Sequence, residues 1–235
     1  MDKPSAPSAI SGVGVLDRSM SLLQALRSGP LTLADLAAIA ALPRATVHRL
    51  ALALEVHGMV DRDEVGRFRI GPFVATLAAA APDQDLAVIA APVLAQLRDS
   101  TGESAQLFVR RGDHRTCIAA ADRVSGLRDS VPVGAQLTMT AGSGARVLAA
   151  WGGDVPTNAA YDLSDLAAVR RRGWADSISE REAGVASVSA PVMGRDGSLV
   201  AAISVSGPVE RLSPAVRKRL GPELVQAAED LRALL

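Results

Sequence analysis

The stretch LPRATVHRLALALEVHG, residues 42–58, decides how the first part of the chain is interpreted. Pro43 suits the first position of a helix and Gly58 suits its end, because proline needs no amide partner there and glycine accepts a left-handed turn. One face at helical spacing is apolar and consists of Val47, Leu50 and Leu54. The other side carries Arg44, Ala45, Thr46, His48 and Arg49. We therefore predict a helix with one buried stripe and one exposed, cationic face.

Short elements on both sides complete a small domain. Before the stretch, helices are predicted over residues 14–28 and, with Thr32 as the N-cap, over 33–40. After it, alternating runs at 59–62 and 67–70 flank a turn-rich tetrapeptide and predict a two-stranded hairpin. Three helices followed by such a hairpin are the pattern of a winged helix-turn-helix domain.

The length of 235 residues corresponds to two domains of ordinary size. We place the winged helix-turn-helix domain at residues 12–72 and an apolar linker helix, bracketed by prolines, at 73–84. Residues 85–235 mix antiparallel hairpins with helices, which indicates a second domain and an α+β protein. The hairpin strands are predicted at 105–110, 116–121, 185–193 and 199–206, and the helices at 86–100, 143–151, 164–172 and 214–235.

Composition narrows the class of protein. Basic and acidic residues balance at 25 each, which excludes a protein that coats nucleic acid non-specifically but leaves room for a local basic patch. The single cysteine cannot form an intramolecular disulfide, and no cysteine and histidine cluster has the spacing of a metal site. No apolar run reaches the roughly 18 to 20 residues that cross a bilayer, and the N-terminus resembles no signal peptide. We therefore expect a cytoplasmic protein with no metal, no cofactor and no membrane partner.

The second helix of a helix-turn-helix pair enters the major groove, so the 43–57 helix is predicted to read double-stranded operator DNA. Arg49 can bond the O6 and N7 atoms of guanine together, whereas the other polar side chains suit phosphates or base edges. The predicted contact residues of this helix are Arg44, Ala45, Thr46, His48 and Arg49.

The hairpin adds a further candidate. Arg67 lies closest to its tip and is predicted to reach the minor groove or the DNA backbone. Asp61, Asp63 and Glu64 weaken the hairpin as a basic patch. The alternative interpretation is therefore a solvated helix face, or a module that contacts protein instead of DNA.

Hydroxyl groups and a glycine-rich turn indicate a small-molecule pocket in the second domain. Strand alternation places Ser187 with Ser189, and Ser204 with Ser206, on one face of each strand. The alternative is that this face of the sheet meets solvent. Residues 140–144 open the 143–151 helix, whose free N–H groups could hold a carboxylate, although a simple tight turn explains the same residues.

Several motifs together resemble the isocitrate lyase regulator (IclR) family of bacterial transcription regulators. In the first domain they are residues 15–19, 42–50 and 66–72. In the second domain they are residues 101–103, 133–134, 172–175, 184–192 and 202–208. The resemblance extends over about residues 12 to 232, in the same order and spacing.

The resemblance implies a GAF-like second domain that binds an effector, and a homodimer that can pair into a dimer of dimers. It implies an effector site formed by Thr140, Ala141, Gly142, Ser177, Ser187, Ser204 and Ser206. The effector expected there is a small carboxylate or an amino-acid-like metabolite. Ser143-Gly144 stands where the family often has Gly-Lys, and Ser177 where it often has an acidic residue, which leaves the effector's identity open.

The genes under control have two interpretations. Ala141-Gly142-Ser143 together with residues 177–184 resembles an actinobacterial subgroup that regulates leucine and other amino-acid biosynthesis genes. The alternative is a repressor of a catabolic operon for an aromatic or organic acid.

An enzyme built on the second domain is the remote alternative. His48 and His57 belong to the helix assigned to DNA, and His114 lies in a hairpin turn. Cys117 lies on a strand without a histidine placed by any motif, which is typical of a buried, inert cysteine. Glu180 and Glu182 are expected to be loop charges paired with Arg181 or Arg211. We therefore predict no enzymatic activity.

Overall fold

The computed structural model describes residues 11–80 and 83–235, and the chain divides between residues 81 and 82 into two units. The first unit contains α1 (Gly14–Ala25), α2 (Leu33–Ala40), α3 (Arg44–Val56), β1 (Val60–Arg62), β2 (Phe68–Ile70) and α4 (Pro72–Ala79). This order confirms the predicted winged helix-turn-helix unit within a mixed α+β chain.

Local capping explains where α2 and α3 begin. The Thr32 hydroxyl accepts a hydrogen bond from the Asp35 amide at 3.2 Å, so the predicted N-cap is confirmed. Ala41 adopts a left-handed conformation after α2, with φ of 53°. Pro43 comes directly before α3 and is its N-cap instead of its first residue. The axes of α2 and α3 bend by 107°, an angle typical of a helix-turn-helix pair.

The core of the first unit joins all three helices to the hairpin. Leu22, Leu36 and Val47 are fully buried, and Phe68 from β2 is nearly so. Gly71, where the hairpin turns into α4, has no room for a side chain. A Cβ there would lie 2.9 Å from the carbonyl carbon of Met59 and closer to the backbone of Gly58.

The predicted linker helix at 73–84 is shorter in the structure. α4 ends at Ala79, and α5 of the second unit already begins at Gln84. Residues 81 and 82 of the prediction lie outside the described residues.

The second unit is a six-stranded antiparallel sheet with helices on both faces. Its elements are α5 (Gln84–Thr101), β3 (Ser104–Arg111), β4 (His114–Ala121), β5 (Gln136–Thr138), α6 (Ser143–Gly152), α7 (Leu163–Arg172), β6 (Ala175–Ile178), β7 (Val185–Met193), β8 (Leu199–Pro208) and α8 (Pro214–Leu234). The strand order is β5-β4-β3-β8-β7-β6. The four predicted hairpin strands are confirmed, whereas β5 and β6, of three and four residues, were too short to carry a periodic signal.

Each face of the sheet has its own core. Leu107 and Ile203 pack with α5 and α8 on one face, and Phe108 and Ala202 pack with α6 and α7 on the other. Ser204 and Ser206 share the face of Ala202 and are 3% and 4% exposed. The alternative of a solvent-facing row of hydroxyls is therefore wrong.

Among the residues that the structure describes, no single helix is long and apolar enough to cross a membrane. Two pairs of consecutive helices, α2 with α3 and α4 with α5, reach that length and composition only when taken together.

Candidate DNA interface and effector cavity

α3 presents the predicted face to solvent. Arg44, Ala45, His48 and Arg49 are exposed, and Thr46 is half-buried at the edge. The opposite face is buried through Val47, Leu50 and also Ala51, which the apolar stripe omitted because alanine gives a weak periodic signal. The fold therefore leaves the cationic side of this helix accessible.

Electrostatics separate α3 from the hairpin. Within residues 11–80 and 83–235, no ion pair involves Arg44 or Arg49. Each basic side chain of the hairpin, in contrast, has a carboxylate partner. The pairs are Arg62 with Glu55 at 3.1 Å, Arg67 with Asp63 at 2.7 Å, and Arg69 with Asp61 at 2.7 Å. The unpaired positive charge of this unit therefore includes the α3 face.

The hydrogen bond from Arg69 has a second effect. It holds the pKa of the Asp61 carboxyl below its ordinary value, because the guanidinium stabilises the ionised form. Asp61 and Arg69 face each other across the β1–β2 ladder, so opposite charges lie at directly paired positions of the two strands. This pairing agrees with the predicted weakening of the hairpin as a basic patch.

A small cavity of about 30 Å³ lies in the second unit, between the first turn of α6 and the sheet. It is lined by Gln106, Phe108, Arg115, Asp129, Val131, Leu137, Gly142, Gly144, Ser177, Arg181, Glu182, Val185, Ser187, Ser204 and Ser206. Five of the seven residues expected in an effector site are among them. Thr140 and Ala141 are not, and the Thr140 hydroxyl lies 2.8 Å from that of Thr138.

The serines form a hydrogen-bonded chain between α6 and the sheet. The Ser143 hydroxyl lies 2.6 Å from Ser187 Oγ and 2.7 Å from Ser189 Oγ. Ser189 donates to Ser204 at 2.9 Å, and Ser204 donates to the Val188 carbonyl at 3.3 Å. These buried hydroxyls therefore satisfy one another and fix one wall of the cavity.

The first turn of α6 is already occupied by the protein's own side chains. The Gly142 amide donates to Glu180 Oε2 at 3.0 Å, and the Ser143 amide donates to Ser177 Oγ at 3.1 Å. Glu180 also pairs with Arg146 at 2.6 Å, so its expected partners Arg181 and Arg211 are wrong. The sequence had suggested that these two amides could hold a ligand carboxylate. In the structure they are not free to do so.

The other loop charges follow a different arrangement. Glu182 lies 3.8 Å from Arg181, as predicted. Arg211 pairs instead with Glu103 and neutralises this buried carboxylate. The sequence analysis included Glu103 in a family motif but did not predict this ion pair.

Arg115 is the feature of the cavity that sequence reasoning missed. It projects from β4, is 3% exposed, and donates from Nη1 to the Thr138 carbonyl. Gly142 makes room for it, since a Cβ there would lie 3.0 Å from Nη2. Burial, and then the charge of Arg181, lower the pKa of Arg115 to about 10, so the side chain is still a cation at neutral pH. Its burial could have been predicted from strand alternation, because Arg115, Cys117 and Ala119 are alternate residues of β4, and the latter two are buried.

Two loops meet at the cavity through one ion pair. Nη2 of Arg181 lies 2.8 and 2.6 Å from the two carboxylate oxygens of Asp129. Asp129 is buried, and 52 residues separate it from Arg181. This pair therefore clasps the 122–135 and 179–184 segments together beside the cavity.

Comparison with known proteins agrees with this arrangement in both units. The model of the IclR helix-turn-helix domain matches residues 15–64, and that of the bacterial transcriptional regulator IclR C-terminal domain matches residues 78–163 and 157–233. The chain belongs to the IclR family of transcriptional regulators. The predicted resemblance to this family is confirmed, whereas nothing in the comparisons singles out the actinobacterial subgroup.

Individual IclR-family relatives span nearly the whole chain. The glycerol operon regulatory protein of Streptomyces griseus is 30% identical over 93% of both chains. The HTH-type transcriptional regulator BhcR of Paracoccus denitrificans is 27% identical over 94% of this chain and 86% of its own. The crystal structure of Thermotoga maritima IclR, at 18% identity, has a TM-score of 0.70 over 94% of this chain and 98% of that one, which shows the shared fold.

Cys117, Glu180 and Glu182, which were considered for catalysis, each contact another group of this IclR-family chain. Cys117 is fully buried, and its thiol lies 3.4 Å from the Ala119 carbonyl oxygen. Within the described ranges, no group of three or more histidine, cysteine or acidic side chains is arranged to hold a metal ion.

Proposed function

We propose that this IclR-family regulator binds a pseudo-palindromic operator as a homodimer through the exposed face of α3. The observation that carries the proposal is that Arg44 and Arg49 share this face without ion pairs within residues 11–80 and 83–235, so their charge is available to DNA. In this proposal Arg49 reads a guanine, and Ala45 lies against the major groove. Arg44, Thr46 and His48 contact phosphates or base edges. From the hairpin, Arg67 contacts the DNA backbone or the minor groove. Binding-site selection from randomised duplex DNA tests this proposal. It should recover two inverted half-sites about one helical turn apart, and recovery of no preferred sequence would contradict it.

The ion pair at the hairpin tip leads to a direct prediction. Asp63→Asn should strengthen operator binding and steepen its salt dependence by about one phosphate contact, because the Arg67 guanidinium loses its carboxylate partner. The amide oxygen of the new asparagine can still accept the hydrogen bond from the backbone N–H of Arg67, which keeps the turn in place. The measurement is a series of binding titrations at increasing salt. Asp99→Asn, which frees Arg98 in the second unit, is the matched control. An unchanged salt slope in Asp63→Asn would remove Arg67 from the interface.

The homodimer is supported by an apolar stripe on α1. Val13, at its N-terminal end, and Leu16 and Met20 are 53%, 51% and 45% exposed, and their spacing places them on one side of the helix. A second copy of the chain would cover such a stripe and bring two α3 helices to one operator. Pairing of two dimers into a tetramer extends the same proposal.

Leu16→Glu tests the stripe. It should weaken dimerisation about tenfold or more, because each copy loses a buried leucine and gains a charge. Sedimentation velocity over a concentration series measures this, and operator affinity should fall with it. Val124→Glu changes an exposed valine of the second unit and should alter neither. Equal association of Leu16→Glu and the unaltered protein would contradict the proposed interface.

We further propose that the cavity of the second unit binds a small carboxylate or amino-acid-like effector. The cavity is lined by Gly142, Ser177, Ser187, Ser204 and Ser206. Thr140 and Ala141 directly precede Gly142 in the sequence. The effector changes operator affinity only by as much as it binds the two DNA-reading arrangements differently. A thermal-shift screen of amino acids and of keto and hydroxy acids identifies the ligand class, and repetition with operator DNA measures the coupling.

The proposed targets are amino-acid biosynthesis genes. This proposal is based on residues 141–143 and 177–184, which resemble the actinobacterial subgroup that regulates such genes. Control of a catabolic operon for an aromatic or organic acid is the alternative. Because its proposed partner is operator DNA, the protein acts in the cytoplasm, and it regulates transcription instead of catalysing a reaction. Footprinting on DNA upstream of both gene classes distinguishes the targets.

A further inference from the structure

Two buried polar groups of the cavity lack the partners that buried groups normally have. Within the described part of the chain, the Nε atom of Arg115 and the Nε2 atom of Gln106 are buried and donate no hydrogen bond to the protein. Both residues line the cavity, and Gln106 is fully buried. Buried donors left unpaired are costly, so two of them at one cavity require an explanation.

The surrounding contacts fix the direction of these donors. The Ser206 hydroxyl donates to Oε1 of Gln106 at 3.2 Å, which leaves the amide Nε2 as the unused end. The Phe108 ring lies below the Arg115 guanidinium, 5.6 Å from its Cζ atom. A Cβ at Gly144 would lie 3.6 Å from both Arg115 Nε and Cδ2 of Phe108. Ser206 thus orients the Gln106 amide, and Phe108 and Gly144 border the Arg115 guanidinium.

The charges near Arg115 leave it without a counter-ion. Asp129 is taken by Arg181, Glu180 by Arg146, and Glu182 lies nearest to Arg181. Among the described residues, no carboxylate lies within ion-pair distance of Arg115. Burial, and then the cation of Arg181, lower its pKa. A buried cation in this position is normally neutralised by an anion.

We infer that Arg115 and Gln106 are the specificity-determining pair of the effector cavity, and that together they bind the carboxylate group of the ligand. One carboxylate oxygen accepts from Arg115 Nε and the other from Gln106 Nε2, which supplies the missing charge and both missing hydrogen bonds. This inference rests on the proposed effector function and adds to it the end of the ligand that is recognised.

The volume of the cavity sets a further condition. About 30 Å³ accommodates a water molecule or the carboxylate end of a small ligand. A ligand bigger than formate or acetate would therefore extend beyond this volume, past the lining pair Asp129 and Arg181. The rest of such a ligand would extend toward the 122–135 and 179–184 segments.

Thermal unfolding of the full-length protein with small probes tests the pair. Formate and acetate should raise the melting temperature of the unaltered protein, whereas formamide and acetamide at equal ionic strength should not. Arg115→Gln should abolish the shift and weaken formate binding about ten- to a hundredfold, as expected for loss of a charged hydrogen bond. Arg110→Gln, on the neighbouring strand and outside the cavity lining, should retain it.

A second variant tests the pair without removing the arginine. Gln106→Glu places a carboxylate in the cavity, so it should raise the melting temperature without formate and remove the response to formate. This variant remains informative even if Arg115→Gln fails to fold.

Each outcome bears on the inference separately from the effector function. Equal stabilisation of the unaltered protein and Arg115→Gln by formate would overturn the role of Arg115. Stabilisation by the amides alone, or no response to formate and acetate, would overturn carboxylate recognition. In both cases an effector found by its release of operator DNA would still support the proposed function.

Discussion

Arg49→Ala is expected to weaken specific operator binding by about 1 to 3 kcal/mol and to relax the sequence preference at one position of each half-site. Arg49 is exposed on α3, and the described residues offer it no carboxylate, so its full hydrogen-bonding capacity is available to a base. The measurement is the affinity for the operator and for variants with single base-pair changes.

Arg44→Ala is the informative comparison, because Arg44 lies in the first turn of the same helix. If Arg44 contacts a phosphate, Arg44→Ala should weaken binding to all sequences alike and reduce the salt slope by about one. Arg98→Ala, in the second unit, is the neutral control. If Arg49→Ala binds every sequence as tightly as the unaltered protein, Arg49 does not read DNA.

Gly221→Ala is expected to destabilise the second unit by about 1 to 3 kcal/mol, although alanine is the better helix former. A Cβ at this position of α8 would lie 2.6 Å from Nε1 of Trp174 and closer still to two ring carbons. The ring packs against the core between α5, α8 and the sheet, and the Arg172 guanidinium lies 4.1 Å from its centroid, so displacing the ring would disturb both contacts. Thermal unfolding should show a melting temperature lower by several degrees.

Gly152→Ala is the matched control for this steric effect. Its Cβ would meet only the flexible end of Arg110, at 3.1 Å, so the helix preference of alanine should leave stability unchanged or raised. Trp174→Phe should relieve part of the penalty of Gly221→Ala, and a double-mutant cycle measures that coupling. A Gly221→Ala protein as stable as Gly152→Ala would show that the packing between α8 and Trp174 is looser than the structure indicates.

The helices and the exposed face of α3 could be predicted because their causes are local. The stripe of Val47, Leu50 and Leu54 depends on the 3.6-residue period, and the Thr32 cap depends on an amide three residues away. Long strands such as β7 and β8 show a period of two, whereas β5 and β6 are too short for one. Pairing with a neighbouring strand creates such short strands.

The cavity was predicted only in part, for a related reason. Serine alternation on β7 and β8 indicated the wall, but the same pattern fits a solvated sheet until α6 covers it. The glycine-rich turn indicated free amides, yet Glu180, 38 residues away from Gly142, occupies one of them. Pattern alone cannot show which distant side chain reaches a helix end.

Periodicity and capping along the chain are thus sufficient to place α3, its exposed arginines and the order of two domains, because they act within one or two turns. Only the folded sheet decides that Arg115 is a buried cation without a carboxylate, and that Gln106 meets Ser206 across 100 residues. Burial and charge compensation belong to neighbours in space, and β3 gains β8 as its neighbour only when the sheet has formed.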